Sequence, residues 1–325
     1  MTNPGAVSPK SDPARPTTGA TSARPGRRKR WLAAAALVLL AAGLYFWPAR
    51  RNFHGKLDDL DVRLDVPYVS ASSDPKQQLD LYLPRETKPF PMVVFVHGGY
   101  WSAQDRRWLQ PVLGTYGNVG AALAHRGIGA AIVGYRQFPQ VQRGDDSLDD
   151  IARAIRFVAQ SAAKLGADPL RIFVMGHSAG GHLASLLAMD PRILQRNDVA
   201  PGTVAGVISV DGIFDLRASL RYLKADQVKV MSTLFGPDDA ALAEHSTIHH
   251  LGSDHPPILF VDSTDDEEIC REGFRALREL AQRDANAEFV ELDGLGHNEI
   301  IIRAGMSDDP ITTVVARFVA EGRGR

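Results

Sequence analysis

Ser178 sits in Gly176-His177-Ser178-Ala179-Gly180, a G-x-S-x-G motif that follows the apolar run 170–175 and precedes the helix-like stretch 181–188. Glycines on both sides let the backbone turn sharply, so a strained serine projects its hydroxyl above a sheet with a helix N-terminus beneath it. That is the environment of an attacking nucleophile. Three further groups supply what such a nucleophile needs. The buried-type run Val93-Val94-Phe95-Val96 ends in His97-Gly98-Gly99, and glycine backbone can approach a substrate closely enough to aim N–H groups at a developing oxyanion. Gly98 and Gly99, joined by the N–H of Ala179, are the expected donors. The apolar run 257–261 opens into Asp262-Ser263-Thr264-Asp265-Asp266, so a carboxylate stands where it can orient a histidine. Asp266 is favoured, with Asp265 as the alternative. The alternating run Ala287-Glu288-Phe289-Val290-Glu291-Leu292 leads through Gly294-Leu295-Gly296 to His297, the expected base.

These residues must be held by strands. Alternating runs at 62–66 and 79–83 read as antiparallel edge strands, and 128–133 and 204–210 read as further core strands. Helical patterns lie between them. One runs from a Ser147 N-cap to about Lys164, and another from Arg271 to Gln282. Strands alternating with helices specify a mostly parallel sheet covered on both faces, which binds its ligands at the carboxyl ends of the strands. The chain order serine, acid, histidine, each after a strand, is the α/β-hydrolase order. The fold class predicted is therefore α/β, an α/β-hydrolase fold occupying 52–325. Residues 216–252 fit no simple crossover and are expected to form a small cap.

From about residue 60 to 320 the chain resembles α/β-hydrolases of the carboxylesterase type that carry HGGxW, a group that includes kynurenine formamidase-like and prenylcysteine methylesterase-like enzymes. The resemblance rests on His97-Gly98-Gly99-Tyr100-Trp101, Gly134-Tyr135-Arg136-Gln137-Phe138-Pro139, Asp168-Pro169 and 176–181. Two positions depart from the pattern. The acid segment reads Asp262-Ser263-Thr264-Asp265-Asp266 where such proteins often read His-Gly-x-x-Asp, and Tyr100 stands at a third oxyanion position that many relatives fill with glycine or alanine. The N–H of Tyr100 can serve there, and its ring can wall the acyl pocket.

The chain has 325 residues, 44% of them hydrophobic, and a net charge of −1, enough for one large core and no electrostatic reason for a nucleic-acid partner. Residues 1–30 are rich in Pro, Ser, Thr, Gly and Arg without apolar periodicity and are expected to be disordered. Residues 31–48 change character: Trp31 to Trp47 carries no charge and follows Arg27-Arg28-Lys29-Arg30. As a helix it spans roughly 25 Å, which reads as a signal anchor, with a cleavable signal ending near Gly43 as the alternative. The basic flank then keeps the N-terminus cytoplasmic and places the hydrolase domain on the extracytoplasmic side of the membrane.

His245 and His249 are spaced i, i+4, and His250 and His255 lie close by, but no further residue completes a metal pattern, so no metal and no organic cofactor are expected. His182 is expected to pack on the nucleophile helix, and Cys270, the single cysteine, to fill space on the helix beginning near Glu268. The expected activity is hydrolysis of a small-molecule carboxylic ester through an acyl-enzyme. The alternatives are an arylformamidase acting on N-formylkynurenine and a non-catalytic binding protein on a hydrolase fold.

Overall fold

The computed structural model describes residues 57–325, apart from 87, 253, 254, 307, 308 and 323–325, together with Trp31. The chain divides into two units, Met1–Tyr45 and Phe46–Arg325. In the first only Trp31 is described, helical and exposed, so the expected disordered segment 1–30 and anchor 31–48 otherwise lie outside the described residues. Among the described residues no helix is long and apolar enough to cross a membrane.

In chain order the second unit contains β1 (Leu60–Pro67), β2 (Gln78–Pro84), β3 (Phe90–Val96), α1 (Gly117–His125), β4 (Gly129–Val133), α2 (Gly144–Leu165), β5 (Ala167–His177), α3 (Ala179–Met189), β6 (Val204–Val210), α4 (Ala225–Phe235), β7 (Ile258–Ser263), α5 (Glu268–Leu280), β8 (Ala287–Leu292) and α6 (Ile311–Glu321). The eight strands form one sheet in the order β1-β2-β4-β3-β5-β6-β7-β8. β1 and β2 pair antiparallel, as does β2 with β4, while β3 to β8 pair parallel throughout. This is the α/β-hydrolase fold; the two alternating runs form its antiparallel strands as predicted, but only β1 is an edge, because β2 pairs with both β1 and β4 and is buried.

Every residue of β3 is buried, as a central parallel strand with helices on both faces requires. Its side chains alternate between two cores. Met92, Val94 and Val96 pack on one face with residues of α2 and α3, whereas Val93 and Phe95 pack on the other with α1 and α6. β8, by contrast, is an edge strand with no fully buried residue. The chain leaves β3 for β4 on one side and returns to β5 on the other, so strand order switches between β3 and β5, where a crevice opens at their carboxyl ends.

Two helices differ from expectation in their bounds: α5 runs Glu268–Leu280 rather than from Arg271 to Gln282, and α2 starts before its expected cap. α2 begins at Gly144, with Asp145 and Asp146 in its first turn, where their charge complements the helix N-terminus. Ser147 lies inside the helix, and its hydroxyl donates to the Arg136 carbonyl at 2.7 Å. Residues 216–252 form a series of short helical turns around α4. Phe235, at the end of α4, stacks edge-on against Trp101 and His182 at 5.3 Å from each, so this insertion packs on the loop after β3 and on α3.

Candidate active site

Ser178 lies between β5 and α3 at φ 58°, ψ −124°, outside the regions that ordinary residues favour. Its neighbours explain how the strain is held. A methyl on Gly176 would meet the Gly180 carbonyl oxygen at 2.0 Å, and one on Gly180 would meet that of Val96 at 2.2 Å. Only glycine fits either place, and the sharp turn follows. Ser178 N–H donates to Val210 O at 2.9 Å, tying the turn to β6.

The sequence-predicted residues Ser178, Asp266 and His297 come together. Ser178 Oγ lies 2.8 Å from His297 Nε2, and His297 Nδ1 lies 2.7 Å from Asp266 Oδ1. Asp266 Oδ1 also accepts the Glu267 N–H at 2.6 Å. Asp265 is exposed, whereas the Asp266 side chain points inward onto His297. Burial pulls the His297 pKa down, but the hydrogen bond and charge of Asp266, with the charges of Asp211 and Glu267, outweigh it and leave the imidazole above its ordinary value. A carboxylate on Nδ1–H fixes the tautomer in which Nε2 accepts a proton from the serine.

The loop after β3 is strained over three consecutive residues, Gly99, Tyr100 and Trp101, with φ of 108°, 48° and 56°. Trp101 anchors it. Its indole N–H donates to His182 Nδ1 at 3.2 Å, and His182 Nε2 donates to the His245 carbonyl at 2.6 Å. Burial pulls the His182 pKa down to about 4, so this histidine is neutral and structural, on the nucleophile helix as its spacing suggests.

Gly98 differs from expectation. Its N–H donates to the buried Tyr116 hydroxyl at 3.3 Å. The need for glycine there is steric: a methyl would lie 3.0 Å from both Ser178 Cβ and the His177 carbonyl oxygen. The described residues supply no acceptor for the N–H groups of Gly99, Tyr100 or Ala179. Ala179 is the first residue of α3, where backbone N–H groups have no partner within the helix.

Sequence reasoning missed three residues here. Asp211 follows β6, is 1% exposed, and holds Oδ2 4.0 Å from His297 Nδ1. An apolar strand ending in an acid was the signal that located Asp266, and 204–211 carries it too. Asp262, at the end of β7, is buried with neither oxygen hydrogen-bonded, and desolvation with the nearby Asp266 charge pushes its pKa up to about 7. His177, the variable position of the serine motif, donates from Nε2 to the His297 carbonyl at 2.8 Å.

The histidines read as an incomplete metal pattern do not converge. His245 Nδ1 and His250 Nε2 engage backbone carbonyls, and His255 lies between the Pro256 carbonyl and Asp284. Cys270 is buried on α5, with its sulfur within 4.8 Å of ligand atoms of Asp266 and His297.

A serine on a strand-to-helix elbow, facing a histidine and an acid delivered by later strands, defines the hydrolase class of this fold. The chain belongs to the BD-FAE family, whose model matches residues 79–279. It is 28% identical over 280 residues to the isoprenylcysteine alpha-carbonyl methylesterase ICME of Arabidopsis thaliana, covering 80% of this chain and 62% of that one. It is 31% identical over 160 residues to the kynurenine formamidase of Danio rerio, covering 48% of each. The chain thus spans less than two thirds of either relative's length. Among solved structures, esterase B of Lactobacillus rhamnosis superposes with a TM-score of 0.68 at 22% identity, over 91% of this chain and 93% of that one.

Proposed function

We propose that this protein is a carboxylic ester hydrolase in which Ser178, His297 and Asp266 serve as nucleophile, base and acid. The observation that carries the reading is the unbroken hydrogen-bonded line Ser178 Oγ, His297, Asp266 at 2.8 and 2.7 Å. Ser178 Oγ attacks the ester carbonyl carbon as His297 Nε2 takes its proton. The tetrahedral oxyanion is met by the N–H groups of Gly99 and Ala179, with that of Tyr100, each such donor contributing about 3 kcal/mol. His297 then protonates the departing alkoxide, leaving the acyl group on Ser178. Water, deprotonated by the same histidine, releases the acid. Every step is carried by side chains and backbone of this chain.

A fluorophosphonate probe with the soluble domain from residue 52 onward tests this. Ser178 should be the labelled residue, and Ser178→Ala should lose both label and hydrolysis of short p-nitrophenyl esters. Labelling at another serine, or a mutant that keeps its rate, overturns the assignment. The formamidase relative and the HGGYW segment support a second substrate class, and N-formylkynurenine assayed beside the esters ranks the two by kcat/KM.

The uncharged run from Trp31 to Trp47 behind four basic residues supports an anchor holding this domain on the extracytoplasmic side. Full-length protein should then stay in the membrane fraction after carbonate washing. A mature N-terminus at Leu44 would instead show a cleaved signal.

A further inference from the structure

Behind His297 stand two carboxyl groups where one would suffice. Asp266 makes the short contact to Nδ1, yet its Oδ2 is buried without a partner. Asp211 reaches the same nitrogen from the neighbouring strand. Its N–H donates to Val261 O at 2.8 Å, and φ of 48° turns the chain back toward the site as β6 ends. Ser263 fixes the carboxyl, donating its N–H to Oδ1 at 2.8 Å and its hydroxyl to Oδ2 at 3.0 Å. Held so, Oδ2 is 4.0 Å from His297 Nδ1, a small ring movement away from a hydrogen bond. Carboxyl oxygens of Asp211, Asp262 and Asp266 lie within 4.8 Å of one another.

We propose that His297 is served by a carboxyl pair, with Asp211 a positioning residue that shares one negative charge with Asp266 and takes up the Nδ1–H when Asp266 is neutralised. This rests on the triad reading above and extends it. The carboxyl of Asp211, buried and within 4.8 Å of that of Asp266, is the one that holds a proton. With Asp266 ionised, Asp211 keeps that proton, in agreement with burial and the Asp266 charge, which both push the Asp211 pKa up. With Asp266 gone, Asp211 must release its proton to solvent before it can hold the histidine. The other groups facing the pair and its histidine are His177, Asp262, Glu267 and Cys270, with Arg271 as the nearby cation, 3.7 Å from Asp262. His177 is kept neutral by burial and by the His297 charge.

The test is kcat/KM for p-nitrophenyl acetate over pH 6–10 in wild type, Asp211→Asn, Asp266→Asn and the double variant, with fluorophosphonate labelling of Ser178 followed in each. Asparagine at 211 still offers an acceptor to the Ser263 N–H and a donor to its hydroxyl, and thermal melts check the fold. Should Asp211→Asn fail to fold, Asp211→Ser repeats the comparison. Losing a lone triad acid lowers turnover about 10⁴-fold; here Asp266→Asn should lose only about 10²- to 10³-fold, and its residual rate should climb with pH. The double variant should lose about tenfold more, and the ratio of the Asp266→Asn rate to the double-variant rate should grow with pH, a comparison in which the shared rise from His297 cancels. A double variant equal to Asp266→Asn, or a ratio of the two that does not change with pH, overturns the pair. Wild type that neither hydrolyses the ester nor labels at Ser178 overturns the triad reading instead.

Discussion

His177 Nε2 donates to the backbone carbonyl of His297 at 2.8 Å, so the residue just before the nucleophile holds the loop that carries the base. Because a carbonyl can only accept, the proton sits on Nε2 and Nδ1 is bare, a buried nitrogen without a partner. Burial, then the His297 charge, keeps this ring neutral, which the arrangement requires beside a base that becomes cationic in each cycle. The two imidazoles stand 4.8 Å apart.

Asp266 touches His297 and Asp265 faces solvent, and the two substitutions should separate accordingly. Asp266→Asn should lower kcat about 10²- to 10³-fold, while Asp265→Asn should change it less than about threefold. Steady-state rates of both variants decide it, and the reverse ranking moves the role to Asp265.

Gly98→Ala should act on the serine and leave oxyanion binding intact. The added methyl lies 3.0 Å from Ser178 Cβ, so the nucleophile shifts by a few tenths of an ångström. Misplacement on that scale should lower kcat about 10- to 100-fold, with KM nearly unchanged. A variant of wild-type rate would show that the elbow has slack.

Hydrolysis should rise with pH, since His297 must be neutral to accept the serine proton. Its raised pKa places the ascending limb of kcat/KM above the ordinary histidine value of about 6.5. A limb centred below that value would mean that Asp266 does not hold the imidazole in solution.

Asp262 carries a stability consequence of known sign. Its folded pKa of about 7 lies above the ordinary carboxylate value, so the folded state binds the proton more tightly than the unfolded chain. That contribution is fully present below about pH 4 and is lost as pH rises through about 7. Asp262→Asn, which cannot ionise, should therefore raise Tm more at pH 8 than at pH 5. Equal shifts at the two values contradict the buried-acid account.

All eight strands and the serine, acid and histidine positions were legible because each depends on local pattern: apolar runs of strand length, glycines at fixed offsets, and a polar residue where a run stops. Other features depend on what strands bring together. Gly98 reads as an oxyanion donor until Tyr116, on the far side of β3, takes its N–H. Asp211 reads as the end of a strand, because only the pairing of β6 with β7 sets it beside Ser263 and His297. His177 occupies a position the motif leaves free, and its partner lies 120 residues away in the chain. The start of α2 was misplaced for a local reason. Glycine is a poor helix former, and the two aspartates after it compensate at the helix terminus.

The base hangs from one margin of the sheet. The nucleophile follows the buried second half of β5, which is paired on both sides, but His297 follows β8, which pairs on one side only and has no fully buried residue. Edge segments of this kind open with less free energy than the core they flank. Warming should therefore peel away the histidine while the serine elbow is still intact, so catalysis fades at temperatures where circular dichroism reports a folded protein, and returns on cooling.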